Sequence, residues 1–553
     1  MRKNHINIFA LGGLDENGKN CYVLEFNEEI YIINTGTKIP LNSNNGIDNI
    51  IPNFNYLVNN KHKIKGVFVS DVKNETFSAL PWLLMKIDSL HIYSSEFNNL
   101  TIKDRLNKYK IDNPNYKIHA LKTIKKIGEI FVQPIELAGS MPGHIGFNFI
   151  TPDGDILFMF NFVEGDLGIY GKLNFEILKQ NFSKRKILAL IVDSGRANYK
   201  GRAINKIKLP ETIRQTFLKT KNNERIIIGA YDEEMVSIQQ ILDLALETNR
   251  PLIIYGKTYN QLLNLIVKKY PQLKLPKIID YRLANKTNNS VILITGAIER
   301  LYSRFLRIIE NNDIYLTLKA SDNVIMIAPP VNGLEKLEAY TLDEIAKITT
   351  KITDVTSEEF YRHRPAAQDI INLVKHLNPQ YIIPAQGLYR YLINVKRNLN
   401  QELKIKANRC LILQNGQIVH FVDGKLLSLN GKVKEIGDTI VDGFGVGDIS
   451  SAVLNERETL GRDGVIIIAA YYNNRTKLLS GKMQIKFIGI FDKKSKTDAK
   501  ELIKNVIVKL IDKETFNGLR DFQNRARQSV RRKIFKVYDK EPMVIINLMQ
   551  ISN

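Results

Sequence analysis

The turn after the apolar run 67–69 carries side chains that could contact a cation. Asp71 and Glu75 offer carboxylate oxygens. Lys73 and Thr76 offer an ammonium group and a hydroxyl. Zinc and related metals bind imidazole, thiolate or carboxylate groups. Two carboxylates hold a hard cation only weakly. Lys73 offers no lone pair at neutral pH, and its positively charged ammonium repels a dication. This turn therefore predicts no stable zinc site.

The segments around this turn are typical of an α/β sheet. Residues 67–69 predict a buried strand, and residues 79–84 predict the helix after it. The polar turn, Ser70 to Ser78, then lies at the carboxyl end of a strand, where such sheets present their chemistry. An ordinary solvated loop in an unrelated α/β protein explains this stretch equally well, so the rest of the chain must decide.

Five further segments occur in an order that resembles the ribonuclease J family of β-CASP ribonucleases. They are ALGG (10–13), IPNF (51–54), LPWLL (80–84), IIPAQGLYR (382–390) and VDGFGVGD (441–448). The resemblance runs from Asn7 to Ile551. It implies an α/β fold class: a metallo-β-lactamase αββα sandwich with an inserted β-CASP domain, which is a parallel α/β sheet, and a small α/β C-terminal domain.

The same resemblance implies a domain order. The sandwich takes residues 1–205 and 351–440, the β-CASP domain 206–350, a linker 441–454 and the C-terminal domain 455–553. Strands predicted at 226–231, 251–256 and 291–296 alternate with amphipathic stretches, which independently indicates a parallel sheet. Residues 91–160 predict short strands and turns.

The resemblance implies a two-zinc centre, but this sequence departs from the family at the ligand positions. Seven family ligand positions fall on Asp71, Lys73, Glu75, Thr76, Gly139, Asn161 and Gln386. None is histidine. Asn161 stands where the family has a bridging aspartate and lacks the negative charge that two metal ions need. The prediction is therefore no metal, no other cofactor and no catalytic residue.

Three nearby residues bear on that prediction. Asn34 replaces a family aspartate at a strand end, whereas Asp193 retains one after the apolar run 188–192. An aspartate at a strand end commonly caps the next helix, so its retention indicates little about catalysis. His144, five residues after Gly139, is interpreted as a structural or surface residue rather than a ligand.

The resemblance also implies a pocket for the 5′-phosphate of RNA, and one of its walls is changed. A serine of the family corresponds to Glu233, which lies between Asp232 and Glu234. Three adjacent acids repel a phosphate group. The sequence therefore predicts RNA binding without preference for a phosphorylated 5′ end.

The other wall of that pocket falls in FYRHRPA, residues 360–366. Arg364 takes the family's histidine position, although an alignment shifted by one residue would place His363 there. Arg362 and Arg364 remain predicted RNA-binding residues because guanidinium groups bind phosphate well.

The charge balance favours a polyanionic partner. The 553 residues include 79 Lys or Arg and 57 Asp or Glu, a net charge of +22. Such an excess favours nucleic acid first and an anionic membrane second. A compositional preference for Lys, Ile and Asn would produce part of the same excess. Within a helix predicted at 516–538, Arg525, Arg532 and Lys536 are predicted to bind RNA.

The composition also indicates the cellular compartment in which the protein is expected. The two cysteines, Cys21 and Cys410, cannot form a disulfide framework or a cysteine-rich zinc site. No apolar run approaches the roughly 20 residues needed to cross a bilayer. The first residues have too short an apolar segment for a signal peptide. We expect a cytoplasmic protein with no membrane contact.

Three functions remain open. The first is a catalytically inactive, RNA-binding subunit in RNA processing and decay, which partners an active ribonuclease J paralogue in a hetero- or homo-oligomer. The second is a ribonuclease with residual endonuclease or 5′–3′ exonuclease activity. Its candidate groups are Asp193, His144, His363, Asp71 and Glu75. The third is a binding scaffold with no role in RNA, which requires the basic excess to be compositional only.

Overall fold

The structure is a computed structural model that describes residues 3–40, 47, 49–111, 116–356, 359, 364–442, 445–446, 451–473, 479–513 and 518–551. The chain divides into two compact units. One comprises residues 1–41 and 49–439, and the other comprises residues 42–48 and 440–553. The finer domain boundaries given above stay predictions.

The strands of the described residues are, in chain order, β1 (His5–Gly12), β2 (Cys21–Phe26), β3 (Glu29–Ile33), β4 (Asn49–Pro52), β5 (Ile64–Phe68), β6 (His91–Ser94), β7 (Lys117–Ala120), β8 (Lys125–Ile127), β9 (Ile130–Glu136), β10 (Ile145–Thr151), β11 (Gly154–Met159), β12 (Gly165–Asp166), β13 (Lys172–Leu173), β14 (Ile187–Asp193), β15 (Ile226–Tyr231), β16 (Leu252–Tyr255), β17 (Ile278–Ile279), β18 (Val291–Gly296), β19 (Asn323–Met326), β20 (Ile352–Asp354), β21 (Tyr381–Ala385), β22 (Gln417–Val422), β23 (Lys425–Lys432), β24 (Asp438–Asp442), β25 (Gly445–Val446), β26 (Val465–Asn473), β27 (Leu479–Ile488) and β28 (Met543–Ile551). The α-helices are α1 (Asn55–Asn59), α2 (Asn74–Phe77), α3 (Leu80–Leu84), α4 (Glu96–Lys108), α5 (Phe175–Phe182), α6 (Glu211–Lys219), α7 (Met235–Glu247), α8 (Lys257–Lys269), α9 (Glu299–Ile309), α10 (Glu335–Ala346), α11 (Ala367–Leu377), α12 (Tyr389–Leu403), α13 (Ser451–Asp463), α14 (Lys493–Lys513) and α15 (Leu519–Tyr538).

Two sheets form a sandwich in the first unit. Their strand orders are β23-β22-β1-β2-β3-β5-β6-β7 and β21-β14-β11-β10-β9-β8. Aromatic residues fill the space between the sheets: the ring of Phe68 lies 5.6 Å from that of Phe147 and 5.0 Å from that of Phe149. Helices α5, α11 and α12 cover the outer face of the second sheet with apolar side chains. This is the predicted αββα sandwich.

A third sheet in the same unit is wholly parallel. Its order is β17-β16-β18-β15-β19-β20. The predicted strands at 226–231, 251–256 and 291–296 correspond to β15, β16 and β18. Each is a short buried run, as expected when both faces of a sheet are covered. The alternation of strand and helix thus produced the β-CASP architecture that it indicated.

Helices α4 and α13 lie where the sequence predicted strands, turns or a linker. Helix α4 lies inside the region predicted as strands and turns; Ser95 caps it, accepting a hydrogen bond from the backbone N–H of Asn98 at 3.2 Å. Its sequence, EFNNLTIKDRLNK, has too few apolar residues to reveal a helical period. Helix α13 begins at Ser451, within the predicted linker 441–454.

The second unit contains a three-stranded sheet of order β27-β26-β28. Strand β26 is antiparallel to β27 and parallel to β28. Helices α14 and α15 pack on this sheet; Phe522, Ala526, Val530 and Ile534 form the buried face of α15. None of the helices in the described residues has the length and apolarity needed to cross a membrane.

Candidate functional site

The candidate site lies at the carboxyl ends of strands from both sheets of the sandwich. The Ser70–Ser78 turn follows β5, Asn161 follows β11, and Gln386 follows β21, while Asp193 ends β14. Six of the seven former ligand positions are buried, and Glu75 is half-buried. The fold therefore brings the substituted positions together as the resemblance implied, but with different side chains.

Asp71 is at the centre of this buried cluster. Asn161 Nδ2 donates to Asp71 Oδ2 at 3.1 Å, and the backbone N–H of Lys73 donates to Oδ1 at 3.0 Å. His144 Nε2 lies 3.0 Å from Oδ2. Burial alone would raise the pKa of the Asp71 carboxyl. The His144 imidazole and the positive charge of Lys73 outweigh burial and hold that pKa below its usual value of 3.8.

His144 occupies the space that a side chain at position 139 would fill. A Cβ atom on Gly139 would lie 2.0 Å from His144 Nδ1. The imidazole therefore enters the site from the turn that precedes β10, and glycine at 139 makes room for it. The interpretation of His144 as an ordinary structural or surface residue did not anticipate this contact with Asp71.

Asp193, the retained acid, is held by an arginine and two backbone amides. Arg364 Nε donates to Oδ2 at 3.0 Å and Nη2 donates to Oδ1 at 2.7 Å. The N–H groups of Asn161 and Gly195 donate to the same carboxylate at 3.0 and 2.8 Å. A Cβ on Gly195 would lie 2.2 Å from the Arg364 guanidinium carbon, so a glycine is needed here. Both oxygens of Asp193 are thus engaged by protein donors.

The guanidinium N–H groups of Arg364 donate hydrogen bonds to other groups of the protein. Its Nη2 also donates to the carbonyl oxygen of Gln386, and the side chain is buried. The predicted role of Arg364 in RNA binding stays a prediction. Arg362 and His363, the neighbours considered for the same wall, lie outside the described residues.

A second buried ion pair joins the sandwich to the parallel sheet. Lys73 Nζ lies 3.4 Å from Glu234 Oε1, and both side chains are almost fully enclosed. Glu233 accepts a hydrogen bond from the backbone N–H of Asn74 at 2.7 Å. Two of the three acids predicted to face a phosphate group are therefore turned toward the Ser70–Ser78 turn.

Burial raises the pKa values of the adjacent acids Asp232 and Glu233. It raises the pKa of the Glu233 carboxyl above its usual value of 4.5, and the adjacent Asp232 raises that pKa further. It also raises the pKa of Asp232 against the opposing effect of Arg304. Each carboxyl is therefore protonated over a wider pH range in the folded chain than in the unfolded chain.

The donor set does not fit a pair of zinc ions. Among the described residues, no group of three or more His, Cys, Asp or Glu side chains is placed to hold a metal ion. Several buried polar atoms near the former ligand positions have no hydrogen-bond partner in this part of the chain: Gln386 Oε1 and Nε2, Asn161 Oδ1, Thr76 Oγ1 and His144 Nδ1. Amide and hydroxyl groups of this kind suit water molecules better than zinc.

An open cleft of about 490 Å³ lies beside this cluster, and we call it the acidic cleft. Its charged walls, within the described residues, comprise six acids and three bases: Asp15, Glu16, Glu75, Asp232, Glu233, Glu335, Lys38, Arg196 and Arg364. The acidic cleft is therefore a poor place for a polyanion, in contrast to the strongly positive chain as a whole.

Family models and full-length relatives agree with this architecture. The model of the ribonuclease J β-CASP domain matches residues 223–345, and that of the ribonuclease J C-terminal domain matches residues 452–551. Proteins called ribonuclease J 2 align over the whole chain. The Streptococcus pyogenes protein is 26% identical, covering 99% of each chain, and a Staphylococcus aureus protein is 23% identical, covering 100% of this chain and 99% of its own. This chain belongs to the ribonuclease J family.

A further relative carries no functional name. The protein called "Uncharacterized protein MG423" of Mycoplasma genitalium is 29% identical, and the alignment covers 99% of this chain and 100% of that protein. Membership in the ribonuclease J family therefore rests on the two domain models and the ribonuclease J 2 relatives.

The backbone is left-handed at three positions where the side chains of this chain depart from the ribonuclease J motifs. Asn34, Asn161 and Gln386 have φ angles of 66°, 50° and 54°. Asparagine tolerates this left-handed region, whereas glutamine adopts it rarely. The Oδ1 atom of Asn34 now accepts a hydrogen bond from the N–H of Ser70 at 2.9 Å. The loops thus hold their shape through hydrogen bonds among protein groups.

The remaining predicted RNA-binding residues lie in the second unit. Arg525, Arg532 and Lys536 are exposed on α15, away from its buried face. Arg525 lies 3.1 Å from Asp521, one turn earlier. Their role in RNA binding stays a prediction.

Proposed function

We propose that this ribonuclease J family member is a catalytically inactive, RNA-binding subunit that partners an active ribonuclease J. The observation that supports inactivity is the replacement of metal charge by side-chain charge. Arg364 neutralises Asp193, and Lys73 neutralises Glu234. Both cations are fixed and enclosed, so they cannot bind a water molecule and activate it as a metal ion does.

Two-metal hydrolysis of a phosphodiester needs ions that stabilise both the attacking and the leaving oxygen. The residues at the seven former ligand positions supply a single well-buried carboxylate, that of Asp71, and it is already contacted by an amide, a backbone N–H and an imidazole. A metal ion would have to displace these partners. The proposed loss of activity follows from that competition.

RNA binding is supported by charge. The net charge of +22 is carried outside the acidic cleft, because acids outnumber bases on the cleft walls. Exposed basic side chains attract the phosphate backbone without regard to sequence. A binding scaffold with no RNA role would require the basic excess to be compositional only, with no RNA complex formed.

Residual ribonuclease activity is the second candidate, and one contact favours it. The His144–Asp71 pair has the spacing of a general base with its orienting carboxylate. The two side chains, however, have no exposed surface. A phosphodiester cannot reach the imidazole without opening the sandwich, so we place this candidate second.

One experiment separates these functions. A labelled single-stranded RNA is incubated with excess chain in the presence of manganese or zinc, and binding and cleavage are measured in the same samples. We expect binding that weakens steeply with salt and no cleavage. Cleavage by the parent chain that His144→Ala abolishes would establish the residual ribonuclease instead, and absence of binding at low salt would favour the scaffold.

A further inference from the structure

A basic pocket of about 240 Å³ lies next to the acidic cleft and has the opposite character. Helix α4 contributes Arg105 and Lys108 to its walls. Helices α8 and α9 contribute Lys257, Arg300 and Arg304. The acids that line it are Asp104 and Asp232. We call this set of five cations the basic pocket.

The fold forces these cations together. Lys257 is the first residue of α8, and Arg300 is the second residue of α9, so both helices direct their amino-terminal ends here. The positive end of a helix dipole adds to the charge of such residues. Arg304 is fixed because its Nη1 donates to the carbonyl oxygens of Tyr255 and Thr295 at 2.8 and 2.6 Å.

A buried hydroxyl on the wall of the basic pocket also lacks a partner. Thr295 is 2% exposed, and its Oγ1 has no hydrogen-bond partner in the described residues. Thr295 lines the basic pocket at the end of β18. A Cβ on Gly256 would lie 1.9 Å from this oxygen, so the glycine before α8 keeps the approach open.

The cations repel one another in the free chain. Burial lowers the pKa of the Lys108 ammonium, and the charges of Arg105, Lys257 and Arg300 lower that pKa further. Like charges held this closely cost free energy. Asp104 offsets part of this repulsion, and an anion bound among the cations would offset more of it.

A second cavity adjoins the basic pocket and contains aromatic rings. It has a volume of about 480 Å³ and shares Lys257 and Arg304 with the basic pocket. Tyr281 lines it with 45% of its surface exposed, and its ring lies 5.3 Å from that of Tyr315. Exposed aromatic rings beside a phosphate site are typical of surfaces that bind single-stranded nucleic acid.

We propose that the basic pocket holds a backbone phosphate of single-stranded RNA and that Tyr281 contacts a neighbouring base. The inference rests on the proposed RNA-binding function and locates it. The bound strand lies over the carboxyl ends of the β16 and β18 strands, beside α4, rather than in the acidic cleft. The cluster of former metal-ligand positions around Asp71 then has no part in binding RNA.

The test compares two double variants by fluorescence anisotropy with a labelled oligouridylate. Lys108→Gln with Lys257→Gln removes two cations of the basic pocket. Lys103→Gln with Lys268→Gln removes two lysines from the same helices that do not line it. We expect the first pair to weaken binding about tenfold or more and to reduce the salt slope by about 0.7 for each phosphate that the variant no longer neutralises. We expect the control pair to change affinity less than about twofold.

An additional variant, a melting measurement and competition by inorganic phosphate distinguish the possible outcomes. Tyr281→Ala should weaken oligouridylate binding at least about fivefold and leave competition by inorganic phosphate unchanged. The basic-pocket variant should melt no lower than the parent, because the removed charges repel their neighbours.

Equal weakening by both double variants overturns the basic pocket while leaving RNA binding intact. Phosphate binding that depends on Lys108 with RNA affinity unaffected shows a free-phosphate site and overturns the assignment to RNA. A parent that binds no RNA at low salt overturns the proposed function.

Discussion

Arg364 and Asp193 form a bidentate ion pair inside the sandwich, with Nε 3.0 Å from Oδ2 and Nη2 2.7 Å from Oδ1. The chain contains the same geometry at its surface. Arg282 Nε lies 3.0 Å from Asp280 Oδ1, and Nη2 lies 2.7 Å from Oδ2. The two pairs differ in burial, which provides a matched comparison.

Removing one partner of the buried pair should destabilise the first unit strongly. Arg364→Met leaves the Asp193 carboxylate buried without its cation, and such a change costs about 3–5 kcal/mol. The exposed counterpart, Arg282→Met, should change stability little because water screens its partner. Calorimetric unfolding of both variants gives the comparison.

A double variant checks the cause of that destabilisation. Arg364→Met combined with Asp193→Asn should recover part of the stability, because the uncompensated charge is then gone. If the double variant is destabilised by the full sum of the two single effects, the residues act independently and the ion pair does not replace metal charge.

Stability should fall as pH rises, and Glu233 should account for part of the fall. Its pKa is raised in the folded chain, so the folded chain binds a proton that the unfolded chain releases at lower pH. Raising pH above the usual value of 4.5 and toward the raised value therefore favours unfolding. Glu233→Gln should flatten this alkaline decline, measured by melting temperature from about pH 5 to about pH 9. Glu211→Gln, at an exposed position, serves as the control, and an equal flattening there would show that burial of Glu233 is not the cause.

RNA binding should not depend on the 5′ end. The acidic cleft, where the family's phosphate wall is expected, has Glu233 and Asp232 on its walls, and Arg364 is engaged by Asp193. Oligonucleotides with 5′-phosphate and 5′-hydroxyl ends should bind equally at one salt concentration. A tenfold preference for the phosphate, about 1.4 kcal/mol, would show that the 5′-phosphate pocket persists.

Association with an active ribonuclease J should depend on the C-terminal domain. Strand β28 presents Ile545 and Met549 to solvent, with 44% and 43% of their surfaces exposed, so two of its apolar side chains can contact a partner. Deleting residues 455–553 should abolish co-purification with the active paralogue. In the full-length chain Ile545→Lys should weaken it, whereas Val508→Lys, at an exposed position of α14, should not. Co-purification at full yield after the deletion would place the interface elsewhere.

The sequence predicted the elements whose periodicity is strong. The strands at 226–231 and 291–296 have the predicted bounds, because continuous apolar runs mark buried strands. Helix α4 was not predicted, because polar residues dominate its sequence. It nevertheless supplies two cations of the basic pocket.

The contacts within the site were harder to predict. Lys73 and Glu234 are 161 residues apart, and no local pattern pairs them. The position of His144 depends on the direction of a side chain in a turn and on the absence of a side chain at Gly139. Sequence reasoning could identify which ligands are missing, but only the packed structure shows which groups took their space.

Metal content most directly tests the central claim that side-chain cations, rather than metal ions, balance the buried acids of the sandwich. The full chain is expressed with added zinc and manganese, purified without chelator and subjected to elemental analysis. The arrangement of Lys73, His144 and Arg364 predicts far less than one zinc or manganese ion per chain. About two ions per chain, the content of a two-metal hydrolase, would contradict it.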